Sequence, residues 1–410
     1  MYMVGRWNSF EMRMVGILPW QVRSSMRLDV LRSSMLSIMA TTLLFIPAVL
    51  GRLGASADLI ASYYSAGYLG VIFSGACLWP MRKWGMRVVS LTSWTFGRVV
   101  WFLGVFVSSA AWLAVVISVH SFLELWVGLV NLKILEKLYP ARFRGRVMAF
   151  VHLVSAVVMI SFTPVAGWIL DRYGYQSLMI IAGCAGLGSV GLVAQLMVRV
   201  GSGLVLEERL SSDLVSGLWG DRAFVLFLIS LVLYGLGSLV PASIYPIVQV
   251  NRLGLSYFDI GWLGFVRSFA WVIGLIFGGW LTDRYGGLRC LQGVFLINTM
   301  VMLPYVWASD GWMLVPSFIA FGIVIAGSEL WISYSLIELA DPAFLAEYTA
   351  VFMMLIGARG LVGPLLGVGL LRIGLSQGYL LLLGSVLTAS ASLVLFPAIA
   401  FQNAKAKPRR

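Results

Sequence analysis

Six ionisable side chains sit inside long apolar stretches of this chain: Arg98, His120, Glu124, Arg267, Glu329 and Arg359. A charge in hydrocarbon is costly unless it is paired or wetted, so such residues mark ion or substrate paths. Glu124 and Glu329 are the only acids among the six, of seventeen in the chain, and both stand in the tripeptide Glu-Leu-Trp, at 124–126 and 329–331. A carboxyl in a cavity can carry a proton, because desolvation favours the neutral acid while a nearby guanidinium favours the carboxylate. The arginines can hold a carboxylate or phosphate bidentately. His120 precedes Glu124 by four residues, which puts both on one helix face. Arg98 lies eleven residues before Ser109, at a hairpin, and His120 eleven after it. Arg98 is therefore level with His120 and about one turn (~5 Å) from Glu124. A structural Arg98–Glu124 ion pair is the competing reading of that acid. Glu329 has no such neighbour on its own helix, although Arg267 or Arg359 could reach it. His152 is expected to pack or to sit at the interface. No nucleophile, base and orienting group occur together, so catalysis is not expected.

The elements that hold these residues must be membrane helices. Hydrophobic residues make up 60% of the 410 and charged ones 11%, far from a soluble domain. Apolar runs recur, each long enough to cross a hydrocarbon core of ~30 Å, and in lipid the backbone must satisfy itself as helix. Twelve are expected, near 31–50, 57–79, 87–107, 111–133, 147–170, 177–198, 223–245, 258–281, 288–307, 312–337, 348–371 and 377–400. The fold class is an all-α polytopic membrane protein. With both termini inside, twenty-two of the 29 Lys and Arg fall on inner segments, four outside (Arg52, Arg172, Arg252, Arg372) and three in spans. That is the positive-inside asymmetry. The net charge of +12 thus orients the chain against anionic lipid and excludes nucleic acid as a partner. Three cysteines without paired spacing and two histidines give no disulfide framework, metal site or cofactor. The first apolar run is read as a retained helix rather than a signal peptide.

The chain repeats itself at an offset of about 200 residues. RLGAS at 52–56 returns as RLGLS at 252–256, and Pro164, Gly167, Leu170, Arg172 and Gly174 return as Pro364, Gly367, Leu370, Arg372 and Gly374. The expected organisation is an interfacial segment at 1–29, a six-helix bundle at 30–199, a cytoplasmic linker at 200–221, a second bundle at 222–401 and a basic tail at 402–410. Such parallel duplication about an axis along the membrane normal is one of the transporter plans.

Residues 279–289, GWLTDRYGGLR, form a short turn between two spans. Gly279, Leu281, Asp283, Arg284, Gly286 and Arg289 closely resemble the signature loop of the major facilitator superfamily. The first-half copy, LWPMRKWGMR at 78–87, departs from it: Arg82 replaces the aspartate and Pro80 the leucine. Opposite it in the family arrangement lies ELADPAFLAE at 338–347, with three acids and no base. Exchanged gate charges are expected, Arg82 and Lys83 facing Asp341 and Glu347, while Asp283 faces Arg142, Arg144 and Arg146.

The resemblance implies a monomeric secondary transporter of a small molecule in the cell membrane, working by alternating access. No nucleotide motif is present, so it also implies an ion gradient, of protons, as the driver. RLDVL at 27–31 and GRVVW at 97–101 are similar to bacterial members without an assigned substrate. In the family the first, fourth, seventh and tenth helices line the cavity, so Glu124 and Glu329 would face it from opposite halves. Glu329 is then the expected proton carrier, with Glu124 and His120 as a paired site on the other wall. PVAGW at 164–168 partly matches the exporters' fifth-helix signature, with Thr163 where its glycine belongs, and gives a lean towards export. Uptake of a metabolite or organic anion at Arg267 and Arg359 is the rival within transport. A non-transporting receptor or lipid-handling protein is the rival of another class.

Overall fold

A computed structural model describes residues 18–201, 221–340 and 344–406. Among the described residues every regular element is helical, as the apolar runs require. In chain order the α-helices are α1 (Trp20–Arg52), α2 (Ala57–Ile72), α3 (Leu78–Trp84), α4 (Met86–Leu103), α5 (Ala110–Trp126), α6 (Gly128–Leu138) and α7 (Ala141–Val200). They continue as α8 (Arg222–Leu239), α9 (Ile244–Ile247), α10 (Tyr257–Tyr285), α11 (Gly287–Trp307), α12 (Val315–Gly327), α13 (Ser333–Leu339), α14 (Leu345–Arg372) and α15 (Gln377–Ala406). A 3-10 turn at Phe73–Cys77 joins α2 to α3. π-turns at Val248–Arg252 and Ser328–Ile332 follow α9 and α12.

Eight helical stretches are long and apolar enough to cross a membrane. Fewer than twelve qualify for identifiable reasons. Gly174, at φ 77°, divides the 60-residue α7 into two rods, and the 3-10 turn and the break at Val127 cut other passes into short pieces. The repeat is visible in the backbone. Gly54 and Gly254, like Gly174 and Gly374, take positive φ at matching hairpins, where a side chain would be strained.

Helix α1 begins at Trp20, so residues 20–29 are not a separate interfacial segment. Nothing in them breaks a helix. Val22, Met26 and Val30 bury against Tyr139, Val147 and Phe150, and that burial carries the helix back beyond its apolar run. Residues 1–17 and the linker at 202–220 lie outside the described residues.

The four apolar clusters show how the halves meet. One cluster joins both halves, through α1 with Ile244, Val248 and Tyr257, at the end carrying the hairpins 52–56 and 252–256. The clusters toward the other end each stay within a single half. Across the halves, α7 packs on α10 and α2 on α14. Glycines set the approach: a Cβ on Gly167 would collide with the Tyr257 backbone, and one on Gly360 with the Tyr68 ring. The halves are packed together at this hairpin face. Large apolar side chains such as Phe96, Ile276, Phe277 and Met354 point outward, an apolar surface suited to lipid.

Candidate functional site: a tyrosine-lined cavity between the halves

Between the halves lies a cavity of about 520 Å³. The first half contributes Tyr63, Tyr64, Tyr68 and Thr163 to its wall, and the second contributes Tyr234, Tyr245, Gln249, Arg267, Asn298, Tyr305, Ser328 and Glu329. Six of the fifteen tyrosines gather here. The signal for this gathering in the sequence was the closeness of Tyr63, Tyr64 and Tyr68 within α2. The two π-turns each bring a polar side chain to this wall, Gln249 and Glu329, and such widened turns recur at functional sites.

Glu329 accepts a hydrogen bond from the Trp271 indole N–H at 3.0 Å. It pairs with neither expected arginine. Arg359 donates to the Leu231 carbonyl and lies over the Tyr234 ring at 5.8 Å, outside the cavity wall. Arg267 enters the wall and lies over the Phe321 ring at 5.5 Å. His152 is exposed on α7 and close enough to Glu329 to act on it electrostatically.

The first-half residues are placed differently from expectation. Arg98 Nη1 and Glu124 Oε2 lie 2.5 Å apart, with the arginine side chain 3% and the glutamate 37% exposed. The Arg98 stem runs over Gly186 on α7, where a Cβ would stand 2.9 Å from it. His120 is buried, its Nδ1 3.0 Å from the Gly97 carbonyl and its ring edge-on to Trp101. None of the three lines the cavity. They tie α4, α5 and α7 together instead, because Gly97 and Gly186 leave room there for a ring and a guanidinium. A second buried network went unread in the sequence. Asp29 and Arg32 pair at 2.8 Å, and Tyr139 and Asn131 bond to them from α6 and the residues after it. Its sequence signal was the i, i+3 spacing of opposite charges on one helix.

At the terminal face Asp283, Arg284 and Arg289 are exposed, as are Arg82 and Lys83. Gly279 has open space around it, while Gly286 turns the chain at φ 80° into α11. The expected pairing of Asp283 with Arg142, Arg144 and Arg146 is not made among the described residues: Arg144 donates to the Glu136 and Tyr139 carbonyls of its own hairpin. Lys83 lies over the Trp79 and Trp84 rings. Asp341 and the Glu347 side chain lie outside the described residues.

The closed face carries charges that sequence reasoning used only for topology. Asp171 accepts from the Tyr257 and Phe258 backbone N–H groups at 3.0 and 2.7 Å. Arg52 pairs with Asp171 at 3.4 Å, donates to the Leu255 carbonyl and covers the Tyr257 ring. Arg372 pairs with Asp58 across the other seam.

Two halves of apolar helices, packed together at one face with a cavity between them, have an architecture suited to a membrane transporter. The sequence profile of the Major Facilitator Superfamily matches residues 32–364, and the chain belongs to that family. Its fold is similar to the crystal structure of the nucleoside transporter NupG, with a TM-score of 0.67 at 14% identity over 93% of this chain and 99% of that one. A mutant of the same transporter gives 0.66 at 15% identity, over 94% and 100%. No curated protein sequence matches. The protein is a multi-pass membrane transporter.

Proposed function

We propose that this transporter is a secondary active carrier of a small organic solute, driven by the proton gradient across the cell membrane. In this reading twelve spans form two six-helix halves, and both termini are cytoplasmic. The hairpin face is then external and the cavity opens inward. One observation carries the proposal: Glu329 stands in the wall between the halves, on a π-turn, with a single indole N–H as its hydrogen-bond partner. Such a carboxyl can gain and lose a proton as its surroundings change between conformations. Glu124 is the weaker candidate because Arg98 already pairs with it. The partial exporter signature at Pro164 favours efflux, whereas an arginine without a carboxylate partner in the cavity favours uptake of an anion; the second rests on geometry, and we adopt it.

Reconstituted in vesicles that enclose a pH dye, the wild-type protein should move protons when candidate solutes are added. Glu329→Gln should lose gradient-driven movement while retaining solute exchange. Wild-type gradient-driven rates in Glu329→Gln and Glu124→Gln alike would remove the proposal. Solute binding without any flux would identify a receptor.

A further inference from the structure

Arg267 faces the cavity without a counter-ion. Among the described residues its guanidinium makes no ion pair and no hydrogen bond; it lies over the Phe321 ring, with Tyr64 and Tyr305 near enough to act on it electrostatically. A guanidinium carries five donors and no acceptor, so one that faces a cavity without a carboxylate partner is suited to receive an anion. The nearest carboxylate on the wall, Glu329, is engaged by Trp271. Trp271 lies four residues along α10, about 6 Å from Arg267 at the helical rise.

The hydroxyls around Arg267 extend the same chemistry. Gln249 donates to the Tyr305 hydroxyl at 2.7 Å, which leaves the Tyr305 O–H free to donate onward. The Tyr64 hydroxyl makes no hydrogen bond among the described residues, although it too lines the wall. Two tyrosine pairs frame the space, Tyr63–Tyr64 from the first half and Tyr245–Tyr305 from the second, with centroids 5.4 and 4.8 Å apart. Aromatic walls of this kind favour a flat ring, by edge or offset contact.

We propose that the cavity binds a ring-bearing organic carboxylate, its carboxylate on Arg267 and the Tyr64 and Tyr305 hydroxyls and its ring between the tyrosine pairs. A single negative charge fits best. Among the described residues the wall supplies one arginine, since Arg359 lies outside it, and Glu329 already contributes an acid. The inference rests on the carrier reading above and gives it a coupling mechanism. An anion in the cavity that Arg267 and Glu329 both line disfavours a second negative charge there, so anion and proton bind with mutual preference; His152 is the other titratable group that faces Glu329. By linkage each raises the affinity of the other to the same extent, which is the behaviour of a symporter.

The test is binding to the purified protein in lipid nanodiscs, read from thermal stabilisation across ligand concentration. The probes are benzoate, phenylacetate and nicotinate, each against its neutral amide, with inorganic phosphate as the alternative anion. At least one carboxylate should bind, and its amide should bind far more weakly. Arg267→Gln should weaken that carboxylate about thirtyfold or more, as expected for a desolvated charge pair that loses one partner. Tyr305→Phe, a milder change that preserves the ring, should weaken it about fivefold. Binding should tighten as pH falls in the wild type and lose that dependence in Glu329→Gln. The proposal is overturned if no carboxylate binds, if amides or phosphate bind as well, or if Arg267→Gln and Tyr305→Phe both bind like wild type. Arg267-dependent binding without proton-linked flux would defeat the carrier reading while leaving the anion subsite in place. Proton-linked flux indifferent to Arg267 would do the reverse.

Discussion

Removing the Asp171 carboxylate should open the hairpin face. Ser256 caps the Asp259 N–H of α10, its third helical residue, and leaves the first two uncapped. Asp171, reaching across from the other half, accepts from those two, Tyr257 and Phe258. Two such bonds to a capping carboxylate contribute ~1 kcal/mol, and its charge at the positive helix end ~0.5 kcal/mol. The Arg52–Asp171 pair, with both side chains 31% exposed, joins two residues of the first half and does not depend on closure. The two capping bonds and the charge at the helix end do require the halves to be together at this face, so Asp171→Ala should destabilise the closed state by about 1.5 kcal/mol. That is about a tenfold shift in population. The readout is Ser238→Cys, a cavity position, in a chain whose Cys77, Cys184 and Cys290 are serine. Labelling of intact cells by an impermeant thiol reagent should accelerate about tenfold over the same chain with Asp171 intact. Asp171→Asn, which keeps an acceptor and loses the charge, should fall between them. Unchanged labelling in Asp171→Ala, with the protein folded, would refute this account of the closed face.

Other perturbations follow from the same contacts. Gly167→Ala places a methyl against the Tyr257 backbone, which has no rotamer to yield; transport should be lost, whereas Gly293→Ala, with open space around it, should be neutral in the same flux assay. Arg98→Met should lower stability by about 2 kcal/mol, less than the ~3–5 kcal/mol of a fully buried pair, because half-exposed Glu124 can rehydrate. Adding Glu124→Gln should recover part of that loss in thermal unfolding. Arg82→Glu should hold the terminal face open, and Asp341→Arg should restore the balance; a double mutant no better than the single, judged by cavity-cysteine labelling, would exclude that charge pairing.

The sequence alone determined the helical character and the 200-residue repeat, which the hairpin glycines share. Those properties come from composition and local periodicity, and lipid leaves a backbone little choice. It also placed Arg98 within about one turn of Glu124 (~5 Å), because a hairpin of known rise fixes which residues are level; the ion pair itself was one of two readings. The tertiary structure alone decided which charges reach the cavity. Glu124 and Glu329 share the same tripeptide, yet one is clamped by Arg98 and the other stands open beside Trp271. Arg267 and Arg359 likewise looked equivalent, until Arg359 turned to a carbonyl on α8 and Arg267 turned into the cavity. The Asp171 cap on α10, the Tyr68 contact at Gly360 and the gathering of six tyrosines likewise depend on chain segments far apart in sequence. Side-chain identity sets what each group can do; the packing of the two halves decides what it meets.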